Sequence, residues 1–305
     1  MSDSLMLCAD YSRQANSQLF GTASQVGVWL LLEYTRPWGK NATDENELPT
    51  EVQTWLQTQC GVVSNGRVQF IRRGNEPIRA DGYTFIVAVA SDMGNSRLYR
   101  LHIPNYEALL AVDVAGMVAG KAEFDRLLQS EPIYLVCTNG KRDISCAKYG
   151  RALFDGLNQV VGVQVWQTTH IGGHRFAGTA VILPSGLTYG YLFAEDADSL
   201  AEATRQQRVW LEKLRGRALY AEPIQAAEYF LRQFTGGLDD DAYRFVRSEV
   251  LPSDEWWVTF EGKGGQSLVV HFMRRPSSTP IYKSTGDAAL TTPPEYHLLS
   301  VNRME

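Results

Sequence analysis

"IYLVCTNGKRDISCAKYG", residues 133–150, carries the reading of the fold. Ile133–Val136 is a short apolar run and reads as a buried strand. The polar stretch after it, broken by Gly140, reads as a loop. From about Ala147 to Gln159, Tyr149, Leu153, Leu157 and Val160 fall at helical spacing, so a helix follows. Downstream, "VGVQVWQTTH" (161–170) is β-branched and aromatic, hence a strand. "GTAVILPSGLTYGYLF" (178–193) is a hairpin turning at Pro184, Ser185 and Gly186. Ser199 and Glu202 have capping-box spacing. Leu200, Ala203, Trp210, Leu211 and Leu214 then mark one face of a helix ending near Gly216. Strand, helix, strand, hairpin, helix is an α/β order close to a thioredoxin-like layout, a helix on a mixed sheet.

The first 125 residues repeat that order. "VWLLLEY" is a strand and "TRPWGKNATDENELPT" a loop. "EVQTWLQ" is a short helix capped by Thr50, and "RVQFIRR" is a strand. "YTFIVAVASDMGNSRLYRLHIP" is a hairpin turning near Asn95. We read a diverged internal duplication in which Tyr34 falls near the place of Cys137 and no second cysteine or histidine pair exists. The first copy is then a degenerate half without a site. From Glu222 the pattern changes. Pro223 opens a helix with Ile224, Ala227, Leu231 and Phe234 on its apolar face, ended by Gly236. "GGLDDD" (Gly236–Asp241) reads as a solvated helix start before "AYRFVRSEV", not as a cation site. "EWWVTFEG", "QSLVVHFMRR" and "YHLLSVNRM" read as strands of a small α+β tail. Trp256 and Trp257 point to opposite faces if their strand is regular.

Composition narrows the function classes. In 305 residues, 44% hydrophobic and 21% charged content is ordinary for a globular chain, and the length points to two or three domains. A net charge of −5 gives no basic excess to cover phosphates, against a nucleic-acid binder. Apolar runs such as Val26–Leu32 are too short to span a bilayer, so no membrane partner is expected. The start, "MSDSLMLCADYSRQ", lacks a basic-then-apolar leader, which makes the cytoplasm the expected compartment. There, paired cysteines more often bind metal or do redox work than form structural disulfides. "EGKGGQS" lacks phosphate-loop spacing and reads as a hairpin turn.

The chain has four cysteines and five histidines. Cys137 and Cys146 form a C-x8-C pair. After 23 further residues comes "THIGGHRFAG" (169–178), with His170 and His174 as H-x3-H. Adjacent Gly172 and Gly173 would cost a helix roughly 2 kcal/mol. They let a loop turn tightly and bring both imidazoles to one centre. Both pairs follow strands of one expected sheet, so the four donors are expected to meet. Zinc accepts Cys₂His₂, although its usual first pair is C-x2–4-C. A [2Fe–2S] cluster also accepts two thiolates and two imidazoles, but this order is not that of a Rieske protein. A redox dithiol is the third possibility, and it leaves the histidines unexplained. Spacing alone leaves these open.

"CTNGKRDISCAKYG" with "HIGGHRFAG" resembles the sucrase/ferredoxin-like family, and "LFGTA" (Leu19–Ala23) and "QAAEYFLR" (Gln225–Arg232) resemble it too. The resemblance implies a thioredoxin-like ferredoxin domain of the bis-histidinyl branch. It implies a [2Fe–2S] cluster held by Cys137, Cys146, His170 and His174, with the cysteines on one iron and the histidines on the other. An electron carrier serving an unidentified redox protein or reductase is therefore expected, and a glycosidase is not. Ala147 beside Cys146 leaves no spare thiol there. The expected division is 1–125 as a degenerate thioredoxin-like half, 126–217 as the ferredoxin domain and 218–305 as an α+β region. Lys141, Arg142, Lys148 and Arg175 are expected to make the cluster edge basic and to raise its potential. Imidazole ligands keep a titratable N–H, so proton-coupled electron uptake is expected. Asp143 is read as a helix cap. Cys8 and Cys60 are read as inert thiols, and His102, His271 and His297 as ordinary surface or core residues.

Overall fold

The computed structural model describes residues 6–74, 82–92 and 94–304. A short helix α1 (Cys8–Gln14) leads into β1 (Val28–Glu33), α2 (Thr50–Val62), β2 (Gly66–Arg72), β3 (Tyr83–Val89) and β4 (Arg97–Ile103). After α3 (Val114–Ala119) come β5 (Ile133–Cys137), α4 (Ile144–Val161), β6 (Val165–Thr168), β7 (Ala180–Leu183) and β8 (Leu187–Tyr189). Then follow α5 (Ala197–Arg205), β9 (Leu214–Arg217), α6 (Glu222–Thr235), β10 (Tyr243–Val250), β11 (Glu255–Gly262), β12 (Ser267–Pro276) and β13 (Pro294–Met304).

The first nine strands form one mixed sheet in the order β4-β3-β1-β2-β6-β5-β7-β8-β9. Its two halves share a connectivity. β1 is parallel to β2 and antiparallel to β3, and β5 is likewise parallel to β6 and antiparallel to β7. The equivalent strands β2 and β6 join the halves through an antiparallel pair, Ile71 opposite Thr168. Both faces of the sheet are covered, so strand sequences such as "VWLLL" (Val28–Leu32) are apolar and buried throughout. Leu30 and Leu32 face a core under α2, whereas Trp29 and Leu31 join Leu135, Cys137 and Trp166 in a core shared by both halves. Tyr34 accordingly sits one position beyond the counterpart of Cys137, buried with its ring stacked 4.7 Å from Phe70.

The second sheet, β10-β11-β12-β13, is antiparallel, and Ala227, Phe230 and Leu231 of α6 cover one of its faces. Trp256 and Trp257 do face opposite ways: Trp256 stacks on core Phe272, and Trp257 stacks on His271 at 3.9 Å. The two family-like end stretches meet here. Gln225 brackets Ala23, its carboxamide accepting from the Ala23 N–H and donating to its carbonyl, both at 3.0 Å. Phe20 stacks on Tyr229. Among the described residues no helix is long and apolar enough to cross a membrane.

Five local expectations are corrected. α4 begins at Ile144, not near Ala147, because Asp143 caps it by accepting from the Ser145 N–H at 2.8 Å. Thr50 is the first residue of α2, with Pro49 before it in the capping position. The helix expected through Gly216 stops at Arg205. Gln207 adopts φ +53°, Val209 N–H bonds to the Leu238 carbonyl, and Leu214–Arg217 becomes the edge strand β9. The opening turn before α5 is stabilised by Asp196 accepting from the Phe193 N–H at 2.9 Å, not by Ser199 and Glu202. Finally, "AYRFVRSEV" is strand, not helix, pairing with β11.

Candidate metal centre

Parallel pairing brings three of the four sequence-selected donors, Cys137, Cys146 and His170, into one group and leaves His174 beside them in a second. β5 and β6 run side by side with Cys137 opposite Thr168, so the loops leaving them emerge at the same end of the sheet. Cys137 is the last residue of β5, and Cys146 stands in the first turn of α4. The helix lies so close to the strand that a Cβ on Gly150 would fall 1.9 Å from the Cys137 carbonyl oxygen, which is why only glycine serves there. After β6, Gly172 and Gly173 take φ values of +94° and +71°, the left-handed region that side chains avoid. That turn returns the chain so that the His170 and His174 rings lie 5.0 Å apart.

Donor atoms of Cys137, Cys146 and His170 all lie within 4.8 Å of one another. Cys137 Sγ is 3.9 Å from His170 Nδ1. Both cysteines are free thiols and buried, whereas His170 is half-exposed. The neighbouring Cys146 thiol, aided by His170, holds Cys137 well below the ordinary thiol range despite its burial. Cys146 is pushed the other way by Cys137 and by burial. A thiol held low in this way is the readier thiolate, the form in which a cysteine binds a metal.

His174 is held from its far side. Its Nε2 is 2.9 Å from Ser284 Oγ and 3.9 Å from Asp143 Oδ2. Its Nδ1 is buried with no hydrogen-bond partner among the described residues. Asp143 does more than cap α4. It accepts from the Thr285 N–H at 2.8 Å and the Thr285 hydroxyl at 2.9 Å, and Cys8 Sγ lies 3.6 Å away. Cys8, Asp143 and His174 thus form a second donor group with atoms within 4.8 Å of one another, backed onto the first. Burial pushes the Cys8 thiol up and, with the nearby His170, the His174 imidazole down, while hydrogen bonds to the Asp143 carboxylate outweigh its burial and hold it low.

A family model described as sucrase/ferredoxin-like matches residues 19–216. The chain belongs to the sucrase/ferredoxin-like family. Three proteins called "Altered inheritance of mitochondria protein 32" are similar to part of it. That of Meyerozyma guilliermondii is 32% identical over 105 residues, covering 31% of this chain and 37% of the relative. That of Debaryomyces hansenii is 32% identical over 98 residues (28% and 34%), and that of Clavispora lusitaniae 29% identical over 112 residues (32% and 41%). The match spans less than half the length of each relative. No solved structure matches the chain significantly.

Within this sucrase/ferredoxin-like chain the four flanking cations divide. Lys148 turns away, 3.7 Å from Asp10 and over the Tyr149 ring, and Lys141 is exposed. Arg142 and Arg175 stay, both lining a cavity that also contains His170 and His174. Two arginines not singled out by sequence join them. Arg67 donates to the His170 carbonyl at 2.8 Å, and buried Arg215 donates to the Gly172 carbonyl at 2.9 Å. Cys60 lies apart, in the wall of a neighbouring hollow shared with Arg67 and His170. His271 pairs with Glu255 at 3.0 Å, far from this chemistry in the second sheet. Cys8, Ser284 and Thr285 gave no sequence signal, because their relation to the site is set only by folding.

Proposed function

We propose that Cys137, Cys146, His170 and His174 hold a [2Fe–2S] cluster and that the chain carries single electrons to or from a redox protein or reductase. The observation that carries this reading is the convergence of two buried thiols and the His170 imidazole, with the His174 ring beside them keeping a buried, partnerless Nδ1. An unpaired polar atom in such a place is costly unless something ligates it. When bound, such a cluster supplies one-electron transfer. The protein's share is to present Cys137 as a ready thiolate, to keep water from both sulfurs, and to leave the half-exposed His170 as the edge a partner reaches. His174 Nε2, between Ser284 and Asp143, is the atom that holds a proton. The repeated connectivity supports reading residues 126–217 as a thioredoxin-like ferredoxin domain, 1–125 as its degenerate counterpart and 218–305 as an added α+β region.

Zinc in a structural module would use the same donors, and a thiol oxidoreductase would use the cysteines alone. An absorption spectrum with iron and acid-labile sulfide counts on anaerobically purified protein separates the three. Brown protein with about two irons and two sulfides is expected, with both lost or altered in a His170→Ala/His174→Ala variant. Colourless protein retaining zinc, or a thiol activity indifferent to the two histidines, would end the electron-carrier reading.

A further inference from the structure

A cavity of about 520 Å³ opens beside both histidines, and its walls carry four cationic side chains, Arg142, Arg175, Arg215 and Lys283, against one carboxylate, Glu222. Arg175 and Arg215 share the ring of Phe176, their guanidinium carbons 4.4 and 5.2 Å from its centroid. Arg215 is 1% exposed and, among the described residues, donates only to neutral acceptors: Thr22 Oγ1 at 3.1 Å, the Gly172 carbonyl at 2.9 Å and the Thr22 carbonyl. Neither guanidinium has a carboxylate within 4.0 Å among the described residues, and Arg175 Nε is buried without a partner. Burial and the Arg175 charge push Arg215 down to about 9, which still leaves it cationic at neutral pH. Gly173 makes room for this arrangement, since a Cβ there would sit 2.3 Å from Arg215 Nη2.

Gathering like charges around the buried Arg215, with one acid among them, is unfavourable by itself. It becomes favourable when an anion enters, because planar guanidinium forks match carboxylate and phosphate oxygens and the low dielectric strengthens the contact. The volume falls in the range of small-molecule sites. Arg215, hidden at the cavity wall, is within reach of a small ion and out of reach of a bulky partner surface. We propose that this cavity binds a small, doubly charged oxyanion, a dicarboxylate or a phosphate, between Arg175, Arg215 and Lys283 and against the two histidines.

Calorimetric titration of the full chain with succinate and with inorganic phosphate, at ionic strength fixed with chloride, tests this directly. Heat of binding is read whether or not a cluster is bound, so the result is independent of the electron-carrier reading. Saturable one-site binding of at least one probe is expected, weakened about tenfold or more in Arg175→Gln and in Lys283→Gln. Lys148→Gln, a basic residue outside the cavity, should leave it unchanged. Lys283 is exposed, so its variant decides the matter if Arg175→Gln fails to fold. The proposal is overturned if neither probe saturates, if Lys148→Gln weakens binding equally, or if an acidic peptide binds where neither small anion does.

Discussion

A helix cap needs one acceptor, and Asp143 supplies its oxygens to three other segments as well. It receives Ser145 from α4, Thr285 from the loop after β12 and the neighbourhood of Cys8 from α1, and it faces His174. If the proposed cluster is held with His174 as a ligand through Nδ1, Nε2 would keep its proton between Ser284 and this carboxylate. An electron added beside the imidazole would then strengthen its hold on that proton. The midpoint potential should therefore fall as pH rises through the oxidised-state histidine pKa. The Asp143 charge favours the protonated ring, so Asp143→Asn should move the start of that fall to lower pH. Potentiometric titration of both proteins across mildly acidic to alkaline pH checks this. A flat wild-type curve would remove the coupling, and coincident curves would remove Asp143 from it.

Two elements hold the donors, and each depends on a glycine. Gly150 lets α4 rest on β5, and Gly173 combines φ +71° with the close approach of Arg215. Left-handed backbone alone costs an alanine about 1–2 kcal/mol, so Gly173→Ala should lose that and more. Gly265, at φ +76° with nothing within 4 Å of a Cβ, isolates the backbone part. Denaturant unfolding of Gly173→Ala and Gly265→Ala should show the larger loss in the first; equal losses would mean that the Arg215 contact is irrelevant. The glycine pair was legible from sequence because adjacent glycines between two histidines exclude a helix locally. The strands around the site were legible for the same kind of reason, being continuous apolar runs. β9 was not. Its residues continue the helical spacing of α5, and only the bond from Val209 to Leu238 and pairing with β8 pull them away. β10 was masked by the acidic run before it, which mimics a helix start. Cys8 and Thr285 stand 135 and 142 positions from Asp143, and no local pattern can announce a contact at that range.

At the scale of the molecule, the large sheet is tied to the C-terminal region through a buried ionic knot. Glu228 of α6, 1% exposed, accepts through Oε1 from Arg217 of β9 at 3.1 Å and from Arg232 at 2.8 Å. The two arginines also donate to the Asp240 carbonyl, and Arg232 to those of Gly237 and Asp239. The acidic "GGLDDD" loop is therefore an arginine acceptor and not a free helix start. Burial alone would raise the Glu228 carboxyl, but Arg217 and Arg232 outweigh it and hold it below its ordinary 4.5. A depressed carboxyl contributes stability that is whole above the unfolded value and is lost as pH falls through the folded one. Thermal stability should thus drop from about pH 4.5 downward, because the unfolded chain takes up the proton first. Glu228→Gln leaves buried Arg232 without a carboxylate and Arg217 with only that of Asp240, at 2.7 Å, and should cost about 3–5 kcal/mol at neutral pH. In return, the variant should lose less than the wild type between pH 5 and pH 3, pH values of the order at which carboxyls titrate. Asp113, Asp241 and Asp254 are also held low by their own partners, so the slope should shrink without vanishing. Unfolding curves of the two proteins over that interval decide it: parallel pH profiles would show that the knot joins the two sheets without carrying the acid sensitivity assigned to it.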